Sequence, residues 1–469
     1  MQIRQSKDHL LNKLRDGGMM TRGEKLQLVA QLSVPAMLAQ LSTIIMQYID
    51  AMMVGNLGAA ASASIGLVST TTWLFGGLCS SIGTGFAVLV AQRIGAKENG
   101  KARDVLRQAI FVCLMFSLAV SMLCVSIHSV LPVWLGGATD VVGLASDYFL
   151  VWALTLPIMQ MMYLSGSMLR SSGNMKVPGM MGVMMCVLDV AFNLVLIPRY
   201  GVVGAALATS SAAFVTAATS MTYLTTRSRE LKLVGHSLHF LPRRDDFREA
   251  MKISLPMGVE HIVFCGAQIV STIIVAPLGT VAVAANAFGI IVESLCYMPG
   301  YGIGDAATTL IGQSIGAKRR DLVRSFSALT VCVGVVVMTL LGVVMYATAP
   351  ALMSLMTPDL AVRAESVTAL RIEAFAEPMY AASIVVYGVF VGAGDTLVPC
   401  CMNLASIWLV RIPLAALLAG PYGLAGVWIA MAVELTVRGI IFLARMCTSR
   451  KYIRKKVGCK VSKDFQSDF

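Results

Sequence analysis

The sequence predicts an all-α membrane protein of twelve transmembrane helices, built as two six-helix lobes related by an internal repeat. Three observations carry that prediction. The 469 residues are 57% apolar and only 13% charged, with a mean hydropathy of +0.76, a balance that water-soluble multidomain chains do not keep. The apolar residues fall in runs at least as long as the roughly 20 residues a helix needs to cross a bilayer. The first half of the chain then recurs in the second.

The recurrence is legible residue by residue. Ser33, Pro35, Leu57 and Gly58 reappear as Ser254, Pro256, Leu278 and Gly279, each 221 positions on. GTGFAVLVAQRIGAK, from Gly83 to Lys97, overlies GDAATTLIGQSIGAK, from Gly304 to Lys318. Gly173, Val177 and Pro178 reappear as Gly394, Val398 and Pro399, while Tyr200, Gly201 and Gly204 reappear as Tyr422, Gly423 and Gly426 at a shift of 222. A repeat of this length is a duplicated domain rather than a solenoid unit.

In order, spans are expected near 28–54, 60–92, 104–131, 142–168, 177–198 and 202–225, and again near 250–276, 281–313, 323–347, 365–391, 398–418 and 423–445. The corresponding organisation is an N-terminal arm over 1–26, a first lobe over 27–226, a linker over 227–249, a second lobe over 250–446 and a basic tail over 447–469. The net charge of +12 is not spread as nucleic-acid binding would require. Basic residues crowd into alternate loops and both termini, with Arg199 and Arg363 as exceptions, which by the positive-inside rule puts both termini in the cytoplasm. Six spans per half give the two repeats the same orientation, the parallel-repeat arrangement of alternating-access transporters. The charged arm lacks a small-residue cleavage site and reads as a cytoplasmic amphipathic segment. Eleven Cys lie mostly in apolar runs without metal spacing and read as small buried hydrophobes.

Polar residues at membrane depth are the functional candidates, because a charge in hydrocarbon costs at least about 2.5–3.5 kcal/mol. Asp50 lies roughly 12 Å below the outer end of the first span at 1.5 Å per residue. Asp189 and Asn193, four apart on one face of the fifth span, lie roughly 15 and 9 Å deep, and Thr209 on the sixth roughly 12 Å deep. These four form one layer suited to a coupling cation. Two carboxylates close together in low dielectric cannot both stay ionised cheaply, so the pair holds a proton or, if the coupling ion is Na+, Asp50 and Asp189 supply hard oxygen ligands to it.

The second half differs in chemistry: Ser271 stands at the place of Asp50 and Val410 at that of Asp189. Its own intramembrane charges are Glu260, Glu293, Asp305, Glu373, Glu377, Arg411, Glu434 and Arg438. Arg411 and Glu377 sit at similar depth and are expected to pair. Glu434 and Arg438 are an i, i+4 pair expected to satisfy each other. Glu260, with His261 beside it, lies toward the cytoplasmic side where a cationic substrate would first meet the protein, and Asp305 is placed to cap or gate the inner end. Tyr380 and other aromatics such as Trp73 and Tyr297 offer faces for flat cations. No Walker A sequence, zinc spacing or nucleophile elbow is present, so the driving energy is read as an ion gradient, and neither enzyme chemistry nor a cofactor has an anchor.

The motifs together resemble the multidrug and toxic compound extrusion (MATE) transporters, bacterial branch. The resemblance rests on VPAMLAQLSTIIMQYIDAMMVGNLG, VAQRIGAKE, MLRSSGNMKVP, VLDVAFNLVLIP with GVVGAALAT, and, in the second half, PLGTVAVAANAFGI, IGQSIGAK, GVFVGAGDTLVP and WLVRIPLAALL. It implies twelve helices in two lobes around a V-shaped central cavity, exporting cationic or amphipathic compounds in exchange for H+ or Na+. Asp50 matches the family's acid on its first helix, and Asp189, Asn193 and Thr209 match its polar cation-site positions. The second half departs from one branch: Tyr380 and Phe264 stand where that branch has acids, with Glu377 and Glu260 one turn earlier. The reading is an ion-coupled antiporter of the inner membrane, acting on small cationic or amphipathic molecules as a monomer among lipids, with no nucleic-acid partner. The alternatives are a flippase for a lipid-linked precursor of the same superfamily, and a polytopic lipid-modifying enzyme.

Overall fold

The computed structural model describes residues 2–234 and 243–448. The predicted basic tail lies beyond them except for its first two residues, as does the middle of the predicted linker. The chain is a bundle of helices: α1 (Gln2–Arg15), α2 (Arg22–Gly55), α3 (Ala59–Gly95), α4 (Asn99–Ile127), α5 (Leu131–Trp134), α6 (Thr139–Ser171) and α7 (Lys176–Thr226) in the first half. The second half adds α8 (Arg244–Val275), α9 (Thr280–Gly316), α10 (Arg320–Met356), α11 (Leu360–Ala374), α12 (Glu377–Gly392), α13 (Leu397–Ser406) and α14 (Ile412–Thr448).

Among the described residues, nine helical stretches are long and apolar enough to cross a membrane, and α11 with α12 makes a tenth bent by 59°. Two of the ten count double. In α7, Gly201 has φ 59° and ψ −131°, and Thr216 reaches Met185 Sδ at 3.8 Å, although 31 straight helical residues would span about 46 Å. The chain therefore doubles back at Gly201. Gly423, at φ 58° and ψ −140°, does the same in α14, bringing Ser406 Oγ 2.5 Å from Glu434. Ten stretches with two doubled give twelve crossings.

The repeat is written into the backbone as well as the sequence. The positive-φ residues Gly58, Lys97, Gly173 and Gly201 have counterparts with positive φ in Gly279, Lys318, Gly394 and Gly423. Left-handed backbone at a lysine is strained, and both lysines close the same IGAK turn after a long helix.

Helix starts reflect local chemistry. At α2 a capping box joins Thr21 and Glu24: Glu24 N donates to Thr21 Oγ1 at 3.2 Å and Thr21 N to Glu24 Oε2 at 2.7 Å. Lys13 adds an ion pair at 2.6 Å, and together these hold the Glu24 carboxyl below the usual range. This cap starts α2 six residues earlier than its apolar run predicts. The third predicted span stops at Ile127 rather than 131, because Pro132 begins a separate turn. The tenth predicted span, 365–391, is broken at Phe375–Ala376, just before Pro378 in the first turn of α12.

Among the described residues, the buried clusters that the two halves share lie at one face. Call the end that carries α1 the terminal face, and its opposite the far face. At the terminal face two buried clusters mix both halves: Leu28, Leu32 and Met175 with Leu310, Phe326 and Phe390, and Phe86, Leu106 and Leu164 with Ile253 and Val391. There the α3 and α9 backbones nearly touch: a Cβ on Gly95 would lie 2.0 Å from Gln313 O, and one on Gly316 1.9 Å from Gln92 O. At the far face each half packs on itself, with Val54, Ala61, Ile197 and Val202 in one cluster and Val275, Ala282, Val362 and Leu424 in another. Midway, Tyr48 donates to Ile291 O at 2.5 Å, and His261 packs on Trp73 at 4.9 Å. His261 enters because residue 77 is Gly, whose absent Cβ would fall 1.8 Å from the ring nitrogen.

Candidate functional site

In the first half, α2 brings Asp50 against the first limb of α7, where Asp189 and Asn193 share a face. Asn193 Nδ2 donates to Asp50 Oδ1 at 2.8 Å and to Asp189 Oδ2 at 3.0 Å. One neutral amide therefore bridges two carboxylates. Asp189 and Asn193 are fully buried, at 0% and 1% exposure, while Asp50 is half-buried. Asp189 Oδ1 and Asn193 Oδ1 are buried acceptors that no protein donor reaches. Among the described residues no Lys or Arg pairs with either acid, so the charge is held without a compensating cation. A proton or a small hard cation supplies what this geometry lacks. For Na+, Asp50, Asp189 and Asn193 Oδ1 are the oxygens at hand; among the described residues no group of three or more His, Cys, Asp or Glu is arranged to hold a metal.

Thr209 does not join this cluster through a hydrogen bond. It stands eight residues after Gly201, level with Asn193 eight residues before it, but its hydroxyl donates back to Ala205 O at 3.2 Å. A threonine on a helix satisfies itself this way when no acceptor faces it.

The second half holds a different arrangement. Arg411 donates to Glu434 Oε2 from Nε at 3.1 Å and from Nη2 at 2.9 Å. Arg438 lies 3.0 Å from Glu434 Oε1 and donates to Oε2 at 3.2 Å, and Ser406 supplies another donor. The expected i, i+4 pair is thus present. The expected Arg411–Glu377 pair is not: a π-helical turn over Ile407–Arg411 turns the guanidinium toward α14. Arg438 also lies over the Tyr380 ring, 5.5 Å from its centroid, and Tyr380 packs on Tyr297 at 5.5 Å.

Glu377 begins α12 and Glu373 sits in the last turn of α11, one on each side of the break. Both are 0% exposed, and all four of their carboxyl oxygens lack a hydrogen-bond partner. Gly342 makes room for Glu377, whose Cβ would lie 3.2 Å from any Cβ there. Glu293, 5% exposed, faces them from α9. Buried carboxylates without donors are costly to keep ionised, so Glu373 and Glu377 mark a second place where a proton or cation would relieve strain. The sequence singles out Glu293 and Glu377 as site candidates and Glu373 only as one more intramembrane charge; the signal for the break was the Glu377–Pro378 step, a helix start inside an apolar run.

Glu260 is already engaged. Tyr387 donates to it at 2.7 Å and Asn403 Nδ2 at 2.6 Å, both from its own half. Asp305 lies 3.8 Å from Arg170 Nε and 3.5 Å from Gln40 Nε2, bridging the halves on the terminal side of the bundle.

Comparison with known proteins gives a consistent result. A family model described as MatE matches residues 35–195 and again 256–417. A probable multidrug resistance protein NorM of Thermotoga maritima is 24% identical over 88% of this chain and 90% of its own. A protein of the same description from Pseudomonas aeruginosa is 28% identical over 89% and 88%. Among solved structures, one titled as the outward-facing conformation of a multidrug resistance MATE family transporter superposes with a TM-score of 0.87 at 19% identity, covering 92% of this chain and 97% of that one. The bent form of the Vibrio cholerae MATE transporter VcmN superposes with a TM-score of 0.84 at 20% identity, covering 96% and 99%.

Proposed function

The chain belongs to the MatE family of multidrug efflux transporters, which are not enzymes, and from that premise we propose that it is an H+- or Na+-coupled antiporter exporting organic cations or amphipathic drugs across the inner membrane. The observation that carries the proposal is the single Asn193 amide bridging Asp50 and Asp189, with unpartnered buried oxygens beside it. In this reading the terminal face is cytoplasmic and the described arrangement is open outward. The ion enters from the far face, offsets one negative charge of the Asp50–Asp189 pair and weakens the reason for Asn193 to bridge both acids. Helix α2 and the first limb of α7 then repack, substrate leaves outward, and the ion is released inward when the far face closes. A gradient supplies about 2.3 kcal/mol per elementary charge per 100 mV. The lobe boundaries expected from the repeat, first half to about 226 and second half from about 250, are the rigid units of this cycle.

A flippase for a lipid-linked precursor calls for cations free to meet a phosphate. The partly buried Arg411 and the buried Arg438 both face Glu434 instead, which favours the antiporter. The test is efflux of a fluorescent organic cation from inverted vesicles under an imposed proton gradient and then a sodium gradient. Asp50→Asn should abolish gradient-driven efflux while leaving the protein in the membrane, and the gradient that drives the unaltered protein names the ion. Unchanged efflux in Asp50→Asn sinks the role assigned to the Asp50 cluster; no cation efflux by the unaltered protein sinks the substrate class.

A further inference from the structure

Helix α1 lies across the seam between the halves at the terminal face, and the coupling chemistry above makes no use of it. Its Leu10, Leu11 and Leu14 are 3%, 4% and 0% exposed and fall on one helical face. They are buried in a cluster drawn from both halves, with Leu28 and Met175 on one side and Leu310, Ile311 and Phe326 on the other. Leu11 seats on Gly173, where an added Cβ would meet its Cδ1 at 2.7 Å.

The last residue of the helix does more than pack. Arg15 donates from Nε to Gln313 Oε1 at 3.2 Å, from Nη1 to Glu230 Oε1 at 2.9 Å, and from Nη2 to Ser172 O at 3.1 Å. One guanidinium thus holds the terminal-face end of α9, the turn after α6 and the start of the linker. Beside it Asp16 pairs with Lys97 in the turn after α3, and Arg319 in the turn after α9 donates to Gly18 O at 3.1 Å. Gln313 in turn donates to Ser171 O at 2.8 Å, so the seam and the helix share an anchor.

We propose that α1 is a latch: docked, it holds the two halves together at the terminal face, and it releases before that face can open. This rests on the alternating-access reading, but its test does not require transport. Parting α9 from the α6–α7 turn takes Gln313 away from Ser172, and the Arg15 guanidinium cannot accompany both. The same movement opens the leucine cluster to water. The geometry therefore couples seam opening to undocking of α1.

The experiment is amide hydrogen exchange on the full-length protein in lipid nanodiscs. Peptides covering 168–176 and 305–316 report the seam, and 280–290, at the far end of α9, serves as the control. Arg15→Ala should raise exchange in both seam peptides about tenfold, equivalent to about 1.4 kcal/mol, with the control unchanged. Glu230→Gln, a milder change at a partly exposed position, should move the same peptides in the same direction by less, and it decides the matter if Arg15→Ala loses protection in the control as well. Faster exchange confined to residues 7–15, with both seam peptides as protected as before, overturns the latch. A protein that fails to move organic cations yet shows the seam response keeps the latch and loses only the proposed substrate.

Discussion

Glu434 offers a sharp test of the second half, because one carboxylate there serves two guanidinium groups. Glu434→Gln keeps the side-chain shape but removes the one carboxylate that both Arg411 and Arg438 bind, in a site where Glu434 is 0% exposed. Removing one partner of a buried ion pair typically destabilises by about 3–5 kcal/mol. Arg411→Met, by contrast, leaves Glu434 paired with Arg438 at 3.0 Å and removes a cation that was itself expensive to bury, so its effect should stay under about 1.5 kcal/mol. At about 2.1 cal/mol/K of unfolding entropy per residue, a chain of 469 residues shifts its Tm by about 1 °C per kcal/mol. Thermal unfolding in detergent, monitored by intrinsic fluorescence, should therefore show a drop of roughly 3–5 °C for Glu434→Gln and under about 1.5 °C for Arg411→Met. The double variant has one orphaned cation instead of two and should recover part of the loss. Equal shifts for the two single variants would refute the reasoning, since they would mean that Glu434 is not the shared anion on which both arginines depend.

The same geometry makes three further outcomes testable. Gly77→Ala should lower both thermal stability and efflux, because its Cβ would overlap the His261 ring; adding His261→Ala should restore much of both, and failure of that rescue would show that the overlap is not the cause. Glu373→Gln should leave Tm unchanged or raise it, since it removes a buried carboxyl charge whose oxygens have no donor, while ion-coupled efflux falls if Glu373 takes part in coupling; a clear loss of stability contradicts the orphaned state described for Glu373. Gly95→Ala and Gly316→Ala place a methyl group about 2 Å from a carbonyl of the opposing helix, and because backbone cannot swing aside, each should speed amide exchange at the terminal-face ends of α3 and α9, with normal protection there counting against the close crossing.

The helical architecture was legible because hydropathy and a duplicated punctuation of Gly, Pro and Lys both repeat along the chain. Asp189 and Asn193 were legible for a similarly simple reason, four residues on one helical face, and a span direction sufficed to place Asp50 at their depth. Azimuth was not legible. Depth alone set Arg411 beside Glu377, but an extra residue in a helical turn rotates the remainder of the helix by about 100°, and the π-turn at Ile407–Arg411 aims Arg411 at α14. A better signal was available: Arg411 and Glu434 stand 12 and 11 residues on either side of Gly423, so a hairpin there brings them level. The same rule pairs Asn193 with Thr209 about Gly201 and yet misleads, since Thr209 can satisfy its hydroxyl on its own helix and Arg411 cannot.

That contrast bears on why a duplicated fold carries unlike chemistry in its two halves. The turn positions recur with the same positive φ, so both halves present matching helices at matching depths. What differs is whether the polar groups at those depths can be satisfied within their own half. In the second half Arg411, Arg438 and Ser406 surround Glu434, and Tyr387 with Asn403 occupies Glu260; these charges are closed and favour one packing. In the first half the acids have only a shared neutral amide and leave two acceptor oxygens unused. A site closed by its own counter-charges has little to gain from an ion, whereas one short of positive charge gains differential binding energy when an ion arrives, and only differential energy can shift a conformational equilibrium. Glu373 and Glu377 are the exception within the second half, and they flank the break where α11 and α12 meet at 59°. Unsatisfied acceptors therefore remain in both halves, and those are the places where an arriving ion gains most.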